Sequence, residues 1–574
     1  MRRHFFTPSV IPRPTIQVGD VLILFGIVAL LYLGVRLAFA APAAVRGPVI
    51  DLAPQNLPWY AALSLGRMFT AYLLALAFTL PVGYLAARNR TAEAIVLPLL
   101  DVLQSVPILS FLPVVVLGLA ALLPERVAVE FASIILIFTS QVWNLTFSFY
   151  QSMKTIPHDL GEAAQIFRLN GWLRFRTAEL PFATLPLLWN SLMSWAGGWF
   201  FLMAAEIFTV GERDFRLAGL GAYLQSAANA GDVTAILWGL AALIAVIVLL
   251  DQLMWRPLLA WAEKFKVEMV PADEPPESWA LDLWMQSRLG RAFDVRLRGP
   301  LVERLDRRIS RMLVQRGSRE SRRSRGGRRF AIGIPSILAA GALLLGALQA
   351  INLLLQLPAE EWRLIAVGAG ASLVRVLIAL VLALAWTVPL GVAIGLNRRV
   401  AAVVQPVVQV VASVPATALF PIFVLVLIRV AGGLNLAAVL LMLMGTQWYL
   451  LFNVIAGASA IPRDLIYTTE TLSIRGWERW RTLILPALFP YLITGMITAT
   501  GGSWNATIVA EYVTFGGQTF QTSGLGALIA QATAQGNYAL LLAATLSMIG
   551  IVVVLNRFFW RRLYRAAEER YRME

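Results

Sequence analysis

The sequence has no cysteine, which excludes disulfides, thiolate nucleophiles and cysteine-bound metals. It has two histidines, His4 and His158, too few and too far apart for a histidine metal site. Lysine is nearly missing: Lys154, Lys264 and Lys266 are the only three. No glycine is followed by lysine, so there is no Gly-x-x-x-x-Gly-Lys-Ser/Thr loop to cradle a nucleotide's phosphates. Charged residues are only 14% of the chain, against about 25% in a soluble domain. No catalytic constellation and no metal-ligand cluster can be assembled from what remains. Work done by this chain must draw on an ion gradient or on a separate energy-converting subunit.

What is present is apolar. Hydrophobic residues are 58% of the chain and its mean hydropathy is +0.70. Many apolar runs reach the roughly 20 residues needed to cross a bilayer. The chain is expected to be an all-α polytopic membrane protein of about 12 spans. In the first half these lie near 18–41, 60–87, 94–123, 127–151, 182–210 and 233–255. In the second they lie near 331–356, 364–396, 402–430, 433–457, 487–515 and 538–560. The first is too long, and too closely preceded by Pro12 and Pro14, for a cleavable signal.

The net charge of +15 reads as topology and not as a nucleic-acid surface. Arg88 and Arg90 follow the second span; Lys154, Arg168, Arg174 and Arg176 follow the fourth. Arg398 and Arg399, then Arg475, Arg479 and Arg481, repeat the pattern. All fall on one side, which the positive-inside rule makes cytoplasmic, with both termini there, in a bacterial inner membrane. The one long polar stretch, 257–330, contains Pro271, Pro275 and Pro276 and an arginine-rich run from Arg316 to Arg329. It reads as a cytoplasmic linker lying near anionic lipid headgroups, with a regulatory or partner-docking role as the alternative.

The chain is also an internal duplication. Arg67 and Arg375, Gly83 and Gly391, Asn89 and Asn397, Ser105-Val106-Pro107 and Ser413-Val414-Pro415 are all 308 positions apart. After one adjustment the spacing becomes 305. It holds for Ile156-Pro157 and Ile461-Pro462, Gly171-Trp172 and Gly476-Trp477, Leu180-Pro181 and Leu485-Pro486, and Ala205-Glu206 and Ala510-Glu511. It ends at Gly219-Leu220-Gly221 and Gly524-Leu525-Gly526. The expected units are 1–256 (core 60–256), the linker 257–330, and 331–574 (core 364–560). A tandem repeat with an even span number gives pseudo-twofold symmetry about the membrane normal and suits a path between the halves.

The loop after the fourth span holds Pro157, Asp159, Glu162-Ala163-Ala164, Gly171 and Pro181. It resembles the Glu-Ala-Ala coupling loop of ABC importer permeases. The second copy keeps Pro462, Asp464, Gly476 and Pro486, but places Tyr467, Thr468 and Thr469 at the Glu-Ala-Ala positions. The glycine that the pattern expects four residues after the last alanine is Arg168 in one half and Ser473 in the other. Trp199 before Ala205-Glu206 and Gly219-Leu220-Gly221, with the matching second-half residues, is similar to the nitrate/sulfonate/taurine/bicarbonate branch. The resemblance implies a type I importer fold, two ATPase subunits (identical or different) carrying ATP and Mg, and an extracytoplasmic solute-binding protein. No cofactor is implied on this chain itself.

Glu206 and Glu511 sit in apolar spans, where a carboxylate is costly unless paired or facing a cavity. Arg67 and Arg375 lie at matching depth, so the expected pairs are Arg67–Glu206 and Arg375–Glu511. They would serve as clamps between spans or as a gate and anion-attracting mouth. Ser105, Pro107, Ser413 and Pro415 are further pathway candidates, the prolines as kinks in the third and ninth spans. Gln104, Gln141, Asn144, Asn190, Gln409, Gln447 and Asn505 are weaker ones, since such residues more often hold helices together than line a pore. A gradient-driven secondary transporter is the rival reading; it needs ionisable residues at mid-membrane, and the spans hold few.

Overall fold

The computed structural model describes residues 18–38, 45–210, 213–265, 278–287, 303–304, 306–308, 341, 344–427, 433–515, 518–560 and 562–563. The proline-rich segment, the arginine-rich run and both ends of the chain lie outside them, as do positions 331–340, 342 and 343 of the expected span at 331–356.

The first half runs α1 (Val18–Ala38), α2 (Leu57–Arg88), α3 (Arg90–Ser105), α4 (Ile108–Ala120), α5 (Glu125–Lys154), α6 (His158–Ile166), α7 (Gly171–Arg174), α8 (Leu180–Glu206), α9 (Leu220–Ala230) and α10 (Val233–Leu250). α11 (Arg256–Ala262) and α12 (Trp279–Gln286) follow. The second half begins with α13 (Leu344–Leu355). It continues through α14 (Ala359–Leu396), α15 (Arg398–Ser413), α16 (Ala416–Leu427), α17 (Gly433–Ser459), α18 (Arg463–Thr471), α19 (Gly476–Arg479), α20 (Leu485–Ala510), α21 (Leu525–Gln535) and α22 (Tyr538–Val554). The order of elements from α2 to α10 is repeated from α14 to α22.

Among the described residues seven helices are long and apolar enough to cross a membrane unaided. The remaining crossing segments are short, broken or less apolar. α8 is 27 residues long, but Asn190, two serines and three tryptophans dilute it. The third and ninth spans are not kinked at proline as expected. Each is two separate helices. Val106 and Pro107 are both extended, α3 ends before them, and Pro107 opens α4 by accepting Ser110 N–H at 3.1 Å. Pro415 does the same for Ala418 N–H at 3.0 Å. Proline has no N–H to continue the first helix, and it disfavours helical geometry in the residue before it.

The repeated asparagines are helix starts. Asn89 accepts Thr91 N–H at 2.9 Å and Asn397 accepts Arg399 N–H at 3.1 Å, each satisfying a donor the helix leaves free. A widened, π-helical turn precedes Pro181 (Phe175–Glu179), Pro486 (Trp480–Ile484) and Pro257 (Asp251–Trp255). In each case the added residue makes room for a ring that cannot donate.

The expected spans 182–210 and 487–515 also end early. α8 stops at Glu206 and α20 at Ala510, and each is followed by an antiparallel hairpin. In the first half β1 (Thr209–Val210) pairs with β2 (Arg213–Asp214); in the second β3 (Tyr512–Phe515) pairs with β4 (Gln518–Gln521).

The halves share a core. Leu109 and Leu112 of α4 belong to one buried cluster with Trp504 of α20 and Leu541 and Met548 of α22. Leu109 N–H donates to Asn505 Oδ1 at 3.3 Å, and Thr545 Oγ1 to the Ser110 carbonyl at 3.3 Å. In return α16 packs on α8 and α9. A methyl group on Gly197 of α8 would stand 3.1 Å from the Tyr449 hydroxyl of α17, so the halves also approach closely there.

Candidate functional site

At the end of the bundle opposite the arginine-rich loops, each half builds a clamp on its buried glutamate. Glu206 has no solvent contact. Its Oε1 accepts Arg67 Nη1 at 2.7 Å and Ser64 Oγ at 2.6 Å; its Oε2 accepts Gly221 N–H at 2.7 Å. Ser64 Oγ also accepts Leu220 N–H at 3.0 Å. One carboxylate thus joins α2, α8 and the start of α9, where free N–H groups favour an anion. Gly219 is needed for close approach: a Cβ there would overlap the carboxylate.

The second half repeats this atom for atom. Glu511 Oε1 accepts Arg375 Nη1 at 2.9 Å and Ser372 Oγ at 2.7 Å, and Oε2 accepts Gly526 N–H at 2.9 Å. Both expected pairs are therefore formed. The serines one turn before each arginine escaped the sequence reading, although Ser64 and Ser372 are 308 positions apart like the arginines.

The clamps differ at their outer partner. Arg67 Nε and Nη2 both donate to Glu130, each at 2.7 Å, and Nη1 also reaches the Ala218 carbonyl at 2.9 Å. Arg375 instead donates to Asn435 Oδ1, at 3.1 and 2.7 Å, and to Thr522 Oγ1 at 2.8 Å. The first clamp holds two carboxylates against one guanidinium; the second holds one.

At the other end stand the two loops. Pro157 opens α6 and Pro462 opens α18. Asp159, Glu162 and Asp464 are exposed, Ala163 is half-buried, and Ala164 packs inward. Both helices end in the same turn. Leu169 N–H returns to the Ala164 carbonyl at 3.0 Å and Ile474 N–H to the Thr469 carbonyl at 2.8 Å. The residues that make this possible, Arg168 (φ 49°) and Ser473 (φ 56°), are the only non-glycines with positive φ among the described residues. They occupy the two positions where glycine was expected. Gly171 and Gly476 start α7 and α19, Gly476 with φ 56°; Pro181 and Pro486 are the second residues of α8 and α20.

The first loop is tethered and the second is not tethered in the same way. Buried Glu179 accepts Arg174 Nε at 2.7 Å and pairs with Arg88. The linker residue Asp306 accepts Trp172 Nε1 at 2.9 Å and pairs with Arg176. The second-half position of Glu179 is Ile484, and Trp477 is 72% exposed. Ile166 and Phe167, and their counterpart region Tyr467 and Leu472, present apolar surface beyond the membrane-crossing helices.

Of the pathway candidates, Ser105 and Ser413 end α3 and α15, next to the breaks at Pro107 and Pro415. Asn144 binds Ser194 at 3.1 Å and Asn190 binds Ser148 at 2.9 Å, so both hold helices together. Gln141 differs: it is buried, with neither amide atom hydrogen-bonded among the described residues.

Two homologous six-segment halves, each with a discontinuous third segment, define a membrane transport protein with the type I importer permease fold. A profile of the binding-protein-dependent transport system inner membrane component family matches twice, over residues 79–254 and 387–572. The chain belongs to that family, with two copies of its domain fused. It is 30% identical over 189 residues to a bicarbonate transport system permease protein of Synechococcus elongatus, covering 33% of this chain and 64% of the relative. It is 29% identical over 147 residues to a nitrate import permease protein of Leptolyngbya laminosa, covering 26% of this chain and 51% of the relative. A taurine transport system permease protein of Escherichia coli is 25% identical over 185 residues, 32% of this chain and 62% of the relative. Each match spans less than two thirds of the relative's length.

Proposed function

We propose that this chain is the fused membrane-embedded pair of an ATP-driven importer for a small oxyanion. The observation that carries the reading is the duplicated loop: two short helices with exposed apolar tips, each followed, after a turn and a second short helix, by the long helix that bears a clamp. Two ATPase subunits, identical or different, dock on α6 and α18 from the cytoplasm and supply ATP and Mg. The chain is itself non-catalytic. Both termini and the linker 257–330 lie on the cytoplasmic side of an inner membrane, and the units divide at 256 and 331. A solute-binding protein delivers its cargo to the clamp end, and the solute passes between the halves.

Residues 157–181 and 462–486 transmit the ATPase stroke. Each joins α8 or α20 through one turn and a short second helix, so motion of the loop is passed to the clamp at the far end. Arg67 already donates to two carboxylates and a backbone carbonyl, and Arg375 to a carboxylate, an amide and a hydroxyl, which makes them clamps and not free attractants for an anion. The relatives named for bicarbonate, nitrate and taurine transport favour a small anion with a planar or tetrahedral oxygen face.

The test is purification from native membranes with whatever chains associate. An ATPase is expected to co-purify, and Phe167→Glu or Leu472→Glu to release it. A chain that purifies alone and accumulates solute on an ion gradient would establish the secondary-transporter reading instead.

A further inference from the structure

α1 and α13 run side by side in the same direction. They touch at Ala29 and Gly346, where a Cβ on the glycine would stand 3.0 Å from the alanine methyl. One turn further along, the helices part around a cleft of about 530 Å³. Tyr32 and Arg36 line it from α1; Gln349, Asn352 and Gln356 line it from α13 and the residue after it. Positions 349, 352 and 356 lie on one helical face. Elsewhere α13 is apolar, so the three carboxamides form a single polar stripe on it. Among the described residues none of these five side chains has a hydrogen-bond partner. None of the lining residues is acidic.

We infer that this cleft is a binding site for the phosphodiester headgroup of an anionic phospholipid. A guanidinium supplies one positive charge and a forked donor, matched to the single charge and paired oxygens of a phosphodiester. The carboxamides and the phenol add neutral donors and acceptors that suit glycerol hydroxyls, and no carboxylate is present to hold an ammonium group. Depth agrees: Arg36 lies in the last turn of α1, about 27 Å along it from Val18, at headgroup level for a helix that spans the bilayer. The flanks agree too. Leu30 and Leu33 on α1, and Leu345 and Leu348 on α13, are exposed beside the cleft and offer apolar surface for acyl chains. A lipid enters such a cleft sideways, with its tails along these leucines. This inference does not depend on the transport reading.

The test uses the full-length chain with any subunits that co-purify, delipidated in detergent and titrated by native mass spectrometry. The probes are phosphatidylglycerol, phosphatidylethanolamine and inorganic phosphate. Wild type is expected to hold one phosphatidylglycerol more tightly than any phosphatidylethanolamine. Arg36→Ala and Asn352→Leu, on opposite walls, are each expected to weaken that adduct about tenfold, with Arg36→Lys between them and wild type. Thermal midpoints show which variants remain folded. Unchanged phosphatidylglycerol binding in both wall variants overturns the inference. So does inorganic phosphate that occupies the site alone and displaces the lipid, which would make the cleft a free-oxyanion site.

Discussion

Glu206 and Glu511 are each held by one arginine, one serine and one backbone N–H. Removing one partner of a buried ion pair leaves the other charge uncompensated, at about 3–5 kcal/mol. Glu511→Ala, which leaves Arg375 with only neutral partners, is therefore expected to lower stability by that order, and Glu206→Ala by less, because Arg67 keeps Glu130. Glu130 is 43% exposed on its side chain, so Glu130→Ala is expected to cost about 1 kcal/mol or less. Thermal unfolding in detergent ranks them; equal losses for Glu130 and Glu206 would contradict the clamp geometry. Gly219→Ala is expected to behave like Glu206→Ala, because the methyl takes the carboxylate's place. The arginine–glutamate pairs were legible in the sequence, since matched charges at matched depth in apolar spans have few other partners. Glu130 was less so: its counterpart is Asn435, so the repeat gave no hint that the position belongs to the clamp.

At the scale of elements, the two loop helices carry a built-in strain. An L-residue in the left-handed region costs about 1–2 kcal/mol, and glycine there costs little. Arg168→Gly and Ser473→Gly are each expected to stabilise the chain by about 0.5–1 kcal/mol, read as a raised unfolding midpoint. A drop would mean that these side chains make contacts outweighing the backbone gain. The first loop is further tied by Glu179 and Asp306. Asp306→Ala is expected to speed amide hydrogen exchange across 171–176 and leave 476–481 unchanged; equal acceleration in both segments would refute a local tether. Helix starts at Asn89 and Asn397 were legible because a capping residue and its repeat fall together. Pro107 and Pro415 were legible as interruptions, but one proline signals a kink and a helix end alike. The extended Val106 and Val414 before them decide for an end. The hairpins after Glu206 and Ala510 were missed because their apolar residues merge with the span before them. Tyr512 to Phe515, Gly516-Gly517 and Gln518 to Gln521 form a two-residue hairpin pattern that a search restricted to spans passes over.

For the whole molecule, the shared core makes a strong demand on assembly. α4 is buried against the second half and α16 against the first, so neither half covers its own apolar surface. Residues 1–256 and 331–574 produced as two chains are expected to co-purify, and each alone to aggregate. Stable, monodisperse single halves would show that the interface is dispensable. The duplication was legible from two constant spacings. The inequality of the halves was only partly so, because it rests on which exchanged residues come into contact in space.

One of those exchanges has a steric partner's view as well. A perfectly twofold surface offers a visiting protein two landings, half a turn apart and equal in energy. Here one lip carries the half-exposed Glu130 and the other Asn435, so the two landings differ by a unit of charge. Fusion of the halves lets mutation break that degeneracy, and a partner can then arrive facing only one way.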